Sequence, residues 1–489
     1  RRSILTDTAA TLLIYGMAEE TVLAAADFVR RGMPAEELPT LRGCCYMAKE
    51  PPADALMLPS HTEVATDPTA YARAFLLEME EQDSVRGRRL CQQQDALRYL
   101  VQNEPASPLA QVALDGVYAL PYERTSHPVY HAQGGVPALA EVRFSISAVR
   151  GCYGACNFCA LTFHQGRVVT SRSEDSIVEE ARALTELPDF KGYIHDIGGP
   201  TANFREPACE KQLSKGCCKN KQCLFPTPCK NLRVSHDSLV RILRRVRALP
   251  RVKKVFIRSG IRFDYVMADP NPTFLRELCE HHVSGQLKVA PEHISPAVLD
   301  KMGKPRREVY EAFVQRYEET NRRLGLKQYL VPYLMSSHPG STLNDAVALA
   351  EYLRDSGHQP EQVQDFYPTP GTLSTCMYYT GLDPRTMQPV YVPKTAHEKA
   401  MQRALLQWKT PANHPLIREA LRLAGREDLI GFGPNCLVPP RELSGDRYAA
   451  SAPRGRSQAV TPPRRRDASG EPIARQGEAG YGKAAPYGA

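Results

Sequence analysis

Three cysteines follow a short apolar strand, with a spacing that lets them bind one metal centre. Cys152, Cys156 and Cys159 form a C-x3-C-x2-C pattern directly after the alternating apolar run at residues 142–148. Sulfur ligands favour iron–sulfur clusters, zinc or copper. Three ligands leave one coordination position open, which suits a reactive centre better than a structural one. The pattern therefore predicts a metal site at the end of this strand.

The residues around these cysteines resemble the cluster loop of the radical S-adenosylmethionine (SAM) enzymes. Phe158 precedes the last cysteine, and the flanking sequences Phe-Ser-Ile-Ser-Ala-Val-Arg-Gly-Cys and Thr-Phe-His-Gln-Gly-Arg are similar to those of the YgiQ family. The resemblance implies that the cysteines bind three irons of a 4Fe–4S cluster, that SAM chelates the fourth iron, and that Phe158 packs near the adenine or the cluster. The alternatives are a zinc knuckle that lacks one ligand, or three unrelated buried cysteines.

From residue 141 the hydrophobic pattern predicts six strands that alternate with helices. The strands are expected near residues 142–148, 192–197, 255–258, 286–290, 328–334 and 363–366. Parallel strands with crossover helices place catalytic loops at the carboxyl ends of the strands. Six such units match the open, partial (β/α)6 TIM-like barrel that is typical of radical SAM enzymes.

Composition and pattern divide the chain of 489 residues into four parts. An N-terminal α/β region with a linker precedes the barrel, and a helical extension and a disordered basic tail follow it. The predicted ranges are 1–140, 141–371 with a Cys-rich insertion at 205–232, 372–438 and 439–489. Because the chain opens on Arg1 and an interior-like strand follows at once, we expect it to be a fragment that lacks N-terminal sequence.

The first part is predicted to be a truncated doubly wound α/β region. An apolar strand at residues 11–17 ends in a glycine turn, and a helical pattern follows over residues 19–31. One face of this helix carries Val22, Leu23, Ala26 and Val29. The resemblance implies a cobalamin-domain-like region here. The chain has no Asp-x-His-x-x-Gly sequence, so we do not expect it to bind cobalamin.

The composition indicates the class of protein and its cellular compartment, but it does not identify the substrate. Hydrophobic residues make up 42% of the chain and charged residues 24%, which is typical of a globular protein. No apolar run approaches the ~20 residues that span a bilayer, and no signal peptide opens the chain. With 14 cysteines, these features predict metal ligands in a reducing cytoplasm. The net charge of +8 permits a nucleic-acid partner without arguing for one.

Several polar residues and glycines lie where the predicted strands end. Gly198 and Gly199 follow the second strand, and the resemblance implies that their backbone contacts the methionyl amino group of SAM, although Pro200 replaces the usual acidic residue. Ser259 and Arg262 follow the third strand and are predicted to contact SAM or substrate. Arg262 is alternatively a surface ion-pair residue.

Three further candidates follow the fourth and fifth strands. Lys288 and Glu292 are predicted to contact SAM or substrate, because a carboxylate accepts hydrogen bonds from ribose hydroxyls. His338 is a candidate proton donor or substrate contact, or equally a hydrogen-bonded structural histidine. No catalytic residue beyond the cluster ligands is assigned.

A second group of cysteines lies in the insertion after the second strand. The segment contains almost no apolar residues, so a bound metal would be needed to hold its fold. The resemblance implies that one cysteine of the group, Cys217, is not a ligand and that four are, namely Cys209, Cys218, Cys223 and Cys229. Zinc and an auxiliary iron–sulfur cluster fit this spacing equally. A disulfide pair is the remaining alternative.

These features predict an enzyme that cleaves SAM reductively to a 5′-deoxyadenosyl radical for hydrogen abstraction from an unidentified substrate. The expected partners are SAM, the substrate, and an electron donor such as flavodoxin or ferredoxin. Two alternatives remain: a tRNA-modifying enzyme like the methylthiotransferases, and a non-catalytic metal-cluster protein that binds nucleic acid through its basic tail. The sequence identifies neither the substrate nor the oligomeric state.

Overall fold

Two groups of strands form the fold, one before residue 103 and one from residue 145 onwards. The structure, a computed structural model, describes residues 2–8, 10–33, 40–360 and 363–441. The predicted disordered tail lies outside these ranges apart from its first three residues. No helix within the described ranges is long and apolar enough to cross a lipid bilayer.

The N-terminal region contains one mixed sheet. Its strands β1 to β5 are Leu13–Ile14, Cys44–Ala48, Leu56–Met57, Leu90–Gln93 and Tyr99–Gln102. Its helices α1 to α5 are Ile4–Asp7, Glu19–Arg30, His61–Thr66, Pro68–Glu81 and Gln111–Tyr118. The strand order is β1-β2-β5-β4-β3, and only β3 and β4 pair in parallel.

The prediction of a doubly wound region was therefore wrong. A doubly wound sheet is mostly parallel, whereas β1, β2, β5 and β4 pair antiparallel here. For the pair β4–β5 the connection explains the direction, because it contains only residues 94–98, and so short a turn permits antiparallel pairing alone. The predicted helix is present as α2, but Leu23 and Val29 on its apolar face remain 69% and 71% exposed.

The second group of strands follows the predicted positions. Strands β6 to β14 are Ser145–Ser147, Val149–Arg150, Thr170–Ser171, Tyr193–Ile194, Asp196–Gly198, Lys254–Val255, Gln286–Glu292, Tyr329–Ser336 and Gln364–Asp365. Parallel pairing joins β6 to β10, β9 to β11, β12 to β13 and β13 to β14. The pair β7–β8 forms a separate antiparallel ribbon beside the cysteine loop.

Helices connect these strands and cover one side of them. Helices α6 to α15 are Leu139–Val142, Leu161–Gln165, Glu174–Thr185, Glu210–Lys215, Asp237–Arg247, Phe263–Ala268, Thr273–Glu277, Pro296–Met302, Arg307–Leu324 and Leu343–Asp355, with a π-turn at Leu278–His282. Buried strand residues such as Ile194, Val255 and Leu287 pack against α8, α10 and α14 in one apolar core. The core therefore lies between the strands and their helices, and the opposite sheet face does not contribute to it.

Local sequence signals explain where the helices begin and end. Ser173 caps α8, because its side chain accepts a hydrogen bond from the Ser176 amide at 3.1 Å. Glu174 and Asp175 in the first turn complement the helix dipole. Helix α14 ends at Gly325, which adopts a left-handed conformation at φ 66°.

Further helices follow β14. They are α16 to α18 at Leu373–Thr380, Ala396–Leu406 and His414–Leu423, with a short hairpin of β15 and β16 at Leu382–Asp383 and Gln388–Pro389. Short 3-10 turns occupy Pro128–Gln133, Pro411–Asn413 and Glu427–Leu429. Helices α17 and α18 pack against α15 around Val347, Leu405 and Leu421. The mixed α/β fold that the sequence predicts is confirmed.

Candidate functional site

The three predicted cluster ligands lie on one loop between β7 and α7. The loop begins at Gly151, whose φ of 81° lies in the left-handed region. A Cβ atom at this position would lie 2.2 Å from the carbonyl oxygen of Val168. Only glycine fits both constraints, so Gly151 determines the path along which the cysteine loop leaves the sheet.

Asn157 fastens the centre of this loop to two other elements. Its backbone amide donates to the Met302 carbonyl at 2.8 Å, and its side-chain amide donates to the Lys301 carbonyl at 2.8 Å. Its own carbonyl accepts from the Ser374 amide at 2.9 Å. The loop is therefore tied to the end of α13 and the start of α16, which holds the cysteines in position.

Arg262 connects the loop to the end of the neighbouring strand. Its Nη1 lies 3.2 Å from the Sγ of Cys156, while Nε and Nη2 donate to the carboxylate of Asp264 at 2.8 and 2.5 Å. The side chain is only 7% exposed, so Arg262 is a buried ion-pair residue, not one at the surface. Burial disfavours its charge, but Asp264 and Cys156 outweigh this and keep the pKa of Arg262 above its usual value.

The thiols lie near one another in a site largely shielded from water. Burial raises the pKa of Cys159 to about 11 and that of Cys152 above its usual value, and the adjacent Cys156 adds to both shifts. The Sγ of Cys152 is 3.4 Å from the hydroxyl of Thr201. Metal ligation requires thiolates, and burial disfavours the thiolate form, so a bound metal would have to stabilise that form. Three soft donors and a buried cation fit an iron–sulfur cluster.

Gly198 and Gly199 allow the second strand to approach its neighbours closely. A Cβ at Gly198 would lie 2.3 Å from the Oγ of Ser259, and one at Gly199 would lie 2.6 Å from a methyl group of Val149. The hydroxyl of Ser259 donates to Asp196. Ser259 and both glycines therefore lie beside the first residues of the cysteine loop, as the sequence predicts for this strand end.

Glu292 lies near the site with two cations. Burial raises its pKa, and Lys304 and Arg262 oppose the rise. Its φ of 67° is unusual for a residue other than glycine. Lys304 is only 3% exposed and also acts on the Cys159 thiol. Glu292 and Cys159 thus both interact with the charge of Lys304, a residue that the sequence analysis did not select.

Lys288 and His338 have different surroundings, and their predicted contacts with SAM or substrate stay predictions. Lys288 is exposed on the sheet face opposite the apolar core. His338 is fully buried; its Nδ1 donates to the Pro339 carbonyl at 2.7 Å, so its Nε2 accepts from the Ser374 hydroxyl at 2.7 Å. Because both ring nitrogens are engaged, the structural role predicted as an alternative is the one that these contacts favour. The Phe158 ring packs edge-on against His338 at 6.1 Å between ring centroids.

Three buried histidines make the stability of the fold depend on pH. Burial lowers the pKa of His282 and of His293 to about 4 and that of His338 to about 3, against about 6.5 in unfolded chains. The unfolded state therefore binds more protons below pH 6.5. We expect the free energy of unfolding to fall as pH decreases from 6.5 towards 4, by up to about 1.4 kcal/mol per pH unit for each histidine.

Urea unfolding at several pH values between 7.5 and 4.5 measures this slope. His282→Asn, which removes one of the titrating groups, should make the slope shallower by about one histidine's share. His131→Asn, at an exposed position, is the matched control and should leave the slope unchanged. Equal slopes in the wild type and in His282→Asn would contradict the assignment.

The second cysteine group lies between the N-terminal region and the cysteine loop. Cys223 is close enough to Cys209, Cys218 and Cys229 for these three thiols to raise its pKa, after burial, to about 11. Cys217 instead turns into the protein, where its amide donates to Asp83 at 2.7 Å. Within the described residues, no group of three or more His, Cys, Asp or Glu side chains, neither this one nor the Cys152 loop, is arranged so that it could hold a single metal ion.

Gln222 connects the Cys-rich insertion directly to the cysteine loop. Its side-chain amide donates to the Ala155 carbonyl at 2.7 Å and to the Asn157 side-chain oxygen at 3.0 Å. Arg167, which follows the loop, donates to the Cys218 carbonyl at 2.9 Å. A cavity of about 430 Å³ lies beside these contacts. Its lining includes Cys156 and the basic residues Arg86, Arg167, Lys219, Lys221 and Arg385.

Known proteins resemble the chain over most of its length. Residues 1–145 match the family described as Radical SAM N-terminal, and residues 361–484 match a domain of unknown function, DUF3362. A UPF0313 protein of Clostridium perfringens is 57% identical over 448 residues, which cover 91% of this chain and 68% of that protein. A UPF0313 protein of Clostridium botulinum is 57% identical over 441 residues, covering 90% and 69%.

The chain belongs to the UPF0313 family. UPF0313 is the YgiQ family, so the resemblance predicted from the cysteine loop is confirmed. The family places the protein among the radical SAM enzymes, which confirms that it is an enzyme, and the 4Fe–4S cluster and SAM are the cofactors of that superfamily. This UPF0313 chain spans about two thirds of the length of the relatives it matches.

Solved structures resemble the UPF0313 chain only distantly. The radical SAM methyltransferase TsrM of Kitasatospora setae, solved with tryptophan and a SAM analogue, is 14% identical. The match covers 73% of this chain and 51% of TsrM, with a TM-score of 0.37. At this score the likeness carries no argument about activity or substrate.

Sequence reasoning missed several residues of the UPF0313 site. Asp264, Lys304, Asn203 and Asn157 all lie in its framework, and Asn203 accepts a hydrogen bond from the Arg262 amide at 2.8 Å. A buried cation needs a carboxylate partner, so the pairing of Arg262 with Asp264, two residues later, could have been predicted from the sequence. Lys304 follows Met-Gly at the end of a helix, and no spacing signal marks it as buried.

Proposed function

We propose that this UPF0313 chain binds a 4Fe–4S cluster through Cys152, Cys156 and Cys159 and cleaves SAM reductively. The observation that supports this most directly is the contact of Arg262 with Cys156. A buried guanidinium is stabilised little by a neutral thiol, whereas a negatively charged thiolate complements its charge. With its reduced cluster bound, the enzyme would split SAM into methionine and a 5′-deoxyadenosyl radical, which abstracts hydrogen from the substrate.

We propose a partial (β/α)6 barrel at residues 141–371 as the frame of this site. Six strand positions follow one another along the chain, alternate with helices, and run parallel wherever they pair. The cysteine loop follows the first of them, and the candidate residues follow the later ones, so all lie at carboxyl ends. The N-terminal region at 1–140, the insertion at 205–232, the helical extension at 372–438 and the tail complete our proposed division.

The residues of the chain would bind, orient and shield the reactants. Arg262 would donate a hydrogen bond to the Cys156 thiolate and so stabilise the additional negative charge of reduction. The backbone at Gly198 and Gly199 would face the methionyl group of SAM, and Glu292 would accept hydrogen bonds from the ribose. Phe158 would exclude water beside the adenine. His338, already bonded at both nitrogens, would fix the position of Phe158.

The electron donor would approach from the side of the basic cavity. Arg86, Lys219 and Lys221 line it next to Cys156, and their positive charge complements an acidic carrier protein of the flavodoxin or ferredoxin type. Free thiols in two groups require a reducing compartment, so we place the enzyme in the cytoplasm.

Anaerobic reconstitution with iron and sulfide tests the proposal. After addition of dithionite and SAM, we expect a broad iron–sulfur absorption, an electron paramagnetic resonance signal of a reduced cluster, and formation of 5′-deoxyadenosine. Protein without iron is the control. A reconstituted cluster that forms in full but never yields 5′-deoxyadenosine with any reductant would refute SAM cleavage.

We also propose that Cys209, Cys218, Cys223 and Cys229 bind zinc or an auxiliary iron–sulfur cluster. Cys223→Ser should lower the metal content by one zinc, or by about four irons, per chain. Cys217→Ser is the matched control, because this neighbouring thiol is buried and faces Asp83. Elemental analysis of both purified variants gives the answer. Unchanged content in Cys223→Ser would exclude this metal site, and an equal loss in both variants would exclude the quartet.

A further inference from the structure

The sheet face opposite the apolar core carries aromatic and basic side chains. Successive residues of a strand point to opposite faces, so the residues between the buried Ile194, Val255 and Leu287 lie on this second face. We call it the open sheet face and define it by Tyr193, Lys254, Phe256, Arg258, Lys288 and Tyr333. Tyr193 is 42% and Tyr333 is 40% exposed, although both stand in or beside paired strands.

The aromatic rings of this face are flanked by cations. The Tyr193 and Phe256 rings stack with 6.3 Å between centroids and 15° between planes. The Lys254 Nζ and the Arg258 guanidinium each lie 5.7 Å from the Phe256 centroid. The Lys288 Nζ lies 5.7 Å from the Tyr333 centroid. Aromatic rings and positive charges thus lie together on the pair β9–β11 and again on the pair β12–β13.

Few carboxylates balance these charges. In the described part of the chain, Arg258 forms an ion pair only with Glu141, at 3.4 Å between two exposed side chains, and such pairs contribute little. Neither Lys254 nor Lys288 pairs with an Asp or Glu among the described residues. The open sheet face therefore complements an anionic ligand.

We propose that the open sheet face binds single-stranded nucleic acid. Unpaired bases stack on exposed aromatic rings, and phosphates interact with the lysine and arginine side chains between them. The bases of a duplex are stacked and paired inside it, so they cannot stack on these rings. Protein interfaces are depleted of lysine at their centre, whereas this face carries Lys254 and Lys288 there.

The β-strands that carry the open sheet face run towards the cysteine loop. Phe256 precedes Ser259 by three residues, and Lys288 precedes Glu292 by four, so each strand runs from the open sheet face towards the candidate site. Resting on the proposed function, this direction makes a nucleotide of a single-stranded nucleic acid the substrate class of the enzyme. Binding itself needs neither SAM nor a reductant, so it is measured separately from catalysis.

Fluorescence anisotropy of the full-length, reconstituted chain with a labelled 12-nucleotide oligouridine tests the binding. We expect Phe256→Ala to weaken binding about tenfold through the loss of base stacking. Lys254→Gln and Lys288→Gln should each lower the slope of log K against log salt concentration by about 0.7. The matched controls are Phe432→Ala and Lys394→Gln, at exposed positions elsewhere.

Photocrosslinking with 4-thiouridine separates this face from the basic tail. Crosslinked peptides should contain Tyr193, Phe256 or Tyr333. Crosslinks confined to residues after 441, a Phe256→Ala affinity equal to that of Phe432→Ala, or equally strong competition by duplex RNA would each overturn the proposal. Normal oligonucleotide binding without 5′-deoxyadenosine formation would instead count against SAM cleavage and leave the binding face intact.

Discussion

Cys156→Ala will lose both the iron–sulfur absorption and the reductive cleavage of SAM. This cysteine is the central ligand of the predicted set, and its sulfur is the atom that Arg262 contacts at 3.2 Å. With two thiolates left, the loop would hold a cluster weakly or not at all. We expect 5′-deoxyadenosine formation to fall to the level of the iron-free protein. Absorption spectra and chromatography after anaerobic reconstitution measure the two losses.

Cys436→Ala is the control for this experiment. Cys436 is also a partly exposed free thiol, but it lies after α18, far along the chain from the loop. It should keep the cluster and full activity. Circular dichroism of both variants checks that each is folded. Undiminished 5′-deoxyadenosine formation by Cys156→Ala would remove the basis of the proposed site.

Arg262→Met will destabilise the fold by about 3–5 kcal/mol. The change leaves the carboxylate of Asp264, which is 2% exposed, without its cation inside the protein. Methionine has a similar volume, so the cost comes from the uncompensated charge and not from a cavity. Urea unfolding of the cluster-free protein measures the loss directly, without the added stabilisation of bound metal.

Two further variants separate the buried charge from other effects. Arg262→Met combined with Asp264→Asn should recover much of the stability, because no unpaired charge remains. Arg323→Met, in an i,i+4 pair with Glu319 at 76% and 51% exposure, should cost less than about 1 kcal/mol. If Arg262→Met cost no more than Arg323→Met, the buried pair would not be the structural support that we describe.

The sequence predicted the parts of the fold that depend on local pattern. All six strand positions of the second group and helices such as α10 and α14 follow from apolar periodicity, because one face of each packs on the core. The topology of the N-terminal sheet did not follow, since periodicity does not report pairing direction. For the pair β4–β5, the five-residue connection set the antiparallel direction.

Only the part of the site that depends on the spacing of residues in the sequence could be predicted. The C-x3-C-x2-C pattern placed Cys152, Cys156 and Cys159 on one loop, because three ligands on a short segment must converge. Lys304 and Asn157 belong to the site because segments that are distant in the chain meet there. Such contacts between distant segments cannot be predicted from a single sequence. Lys288 follows the strand pattern on the face turned away from the core, and its contact with SAM or substrate stays a prediction.

The hydrogen bonds of Gln222 make the two cysteine segments thermodynamically dependent on each other. Whatever orders the insertion also fixes the Ala155 carbonyl and the Asn157 side chain, and thus restrains the loop before its own ligands are engaged. Linkage is reciprocal, so a ligand that orders the loop tightens the insertion by the same free energy. Assembly of the two centres would then be cooperative, with half-assembled molecules rarer than independent loading would give.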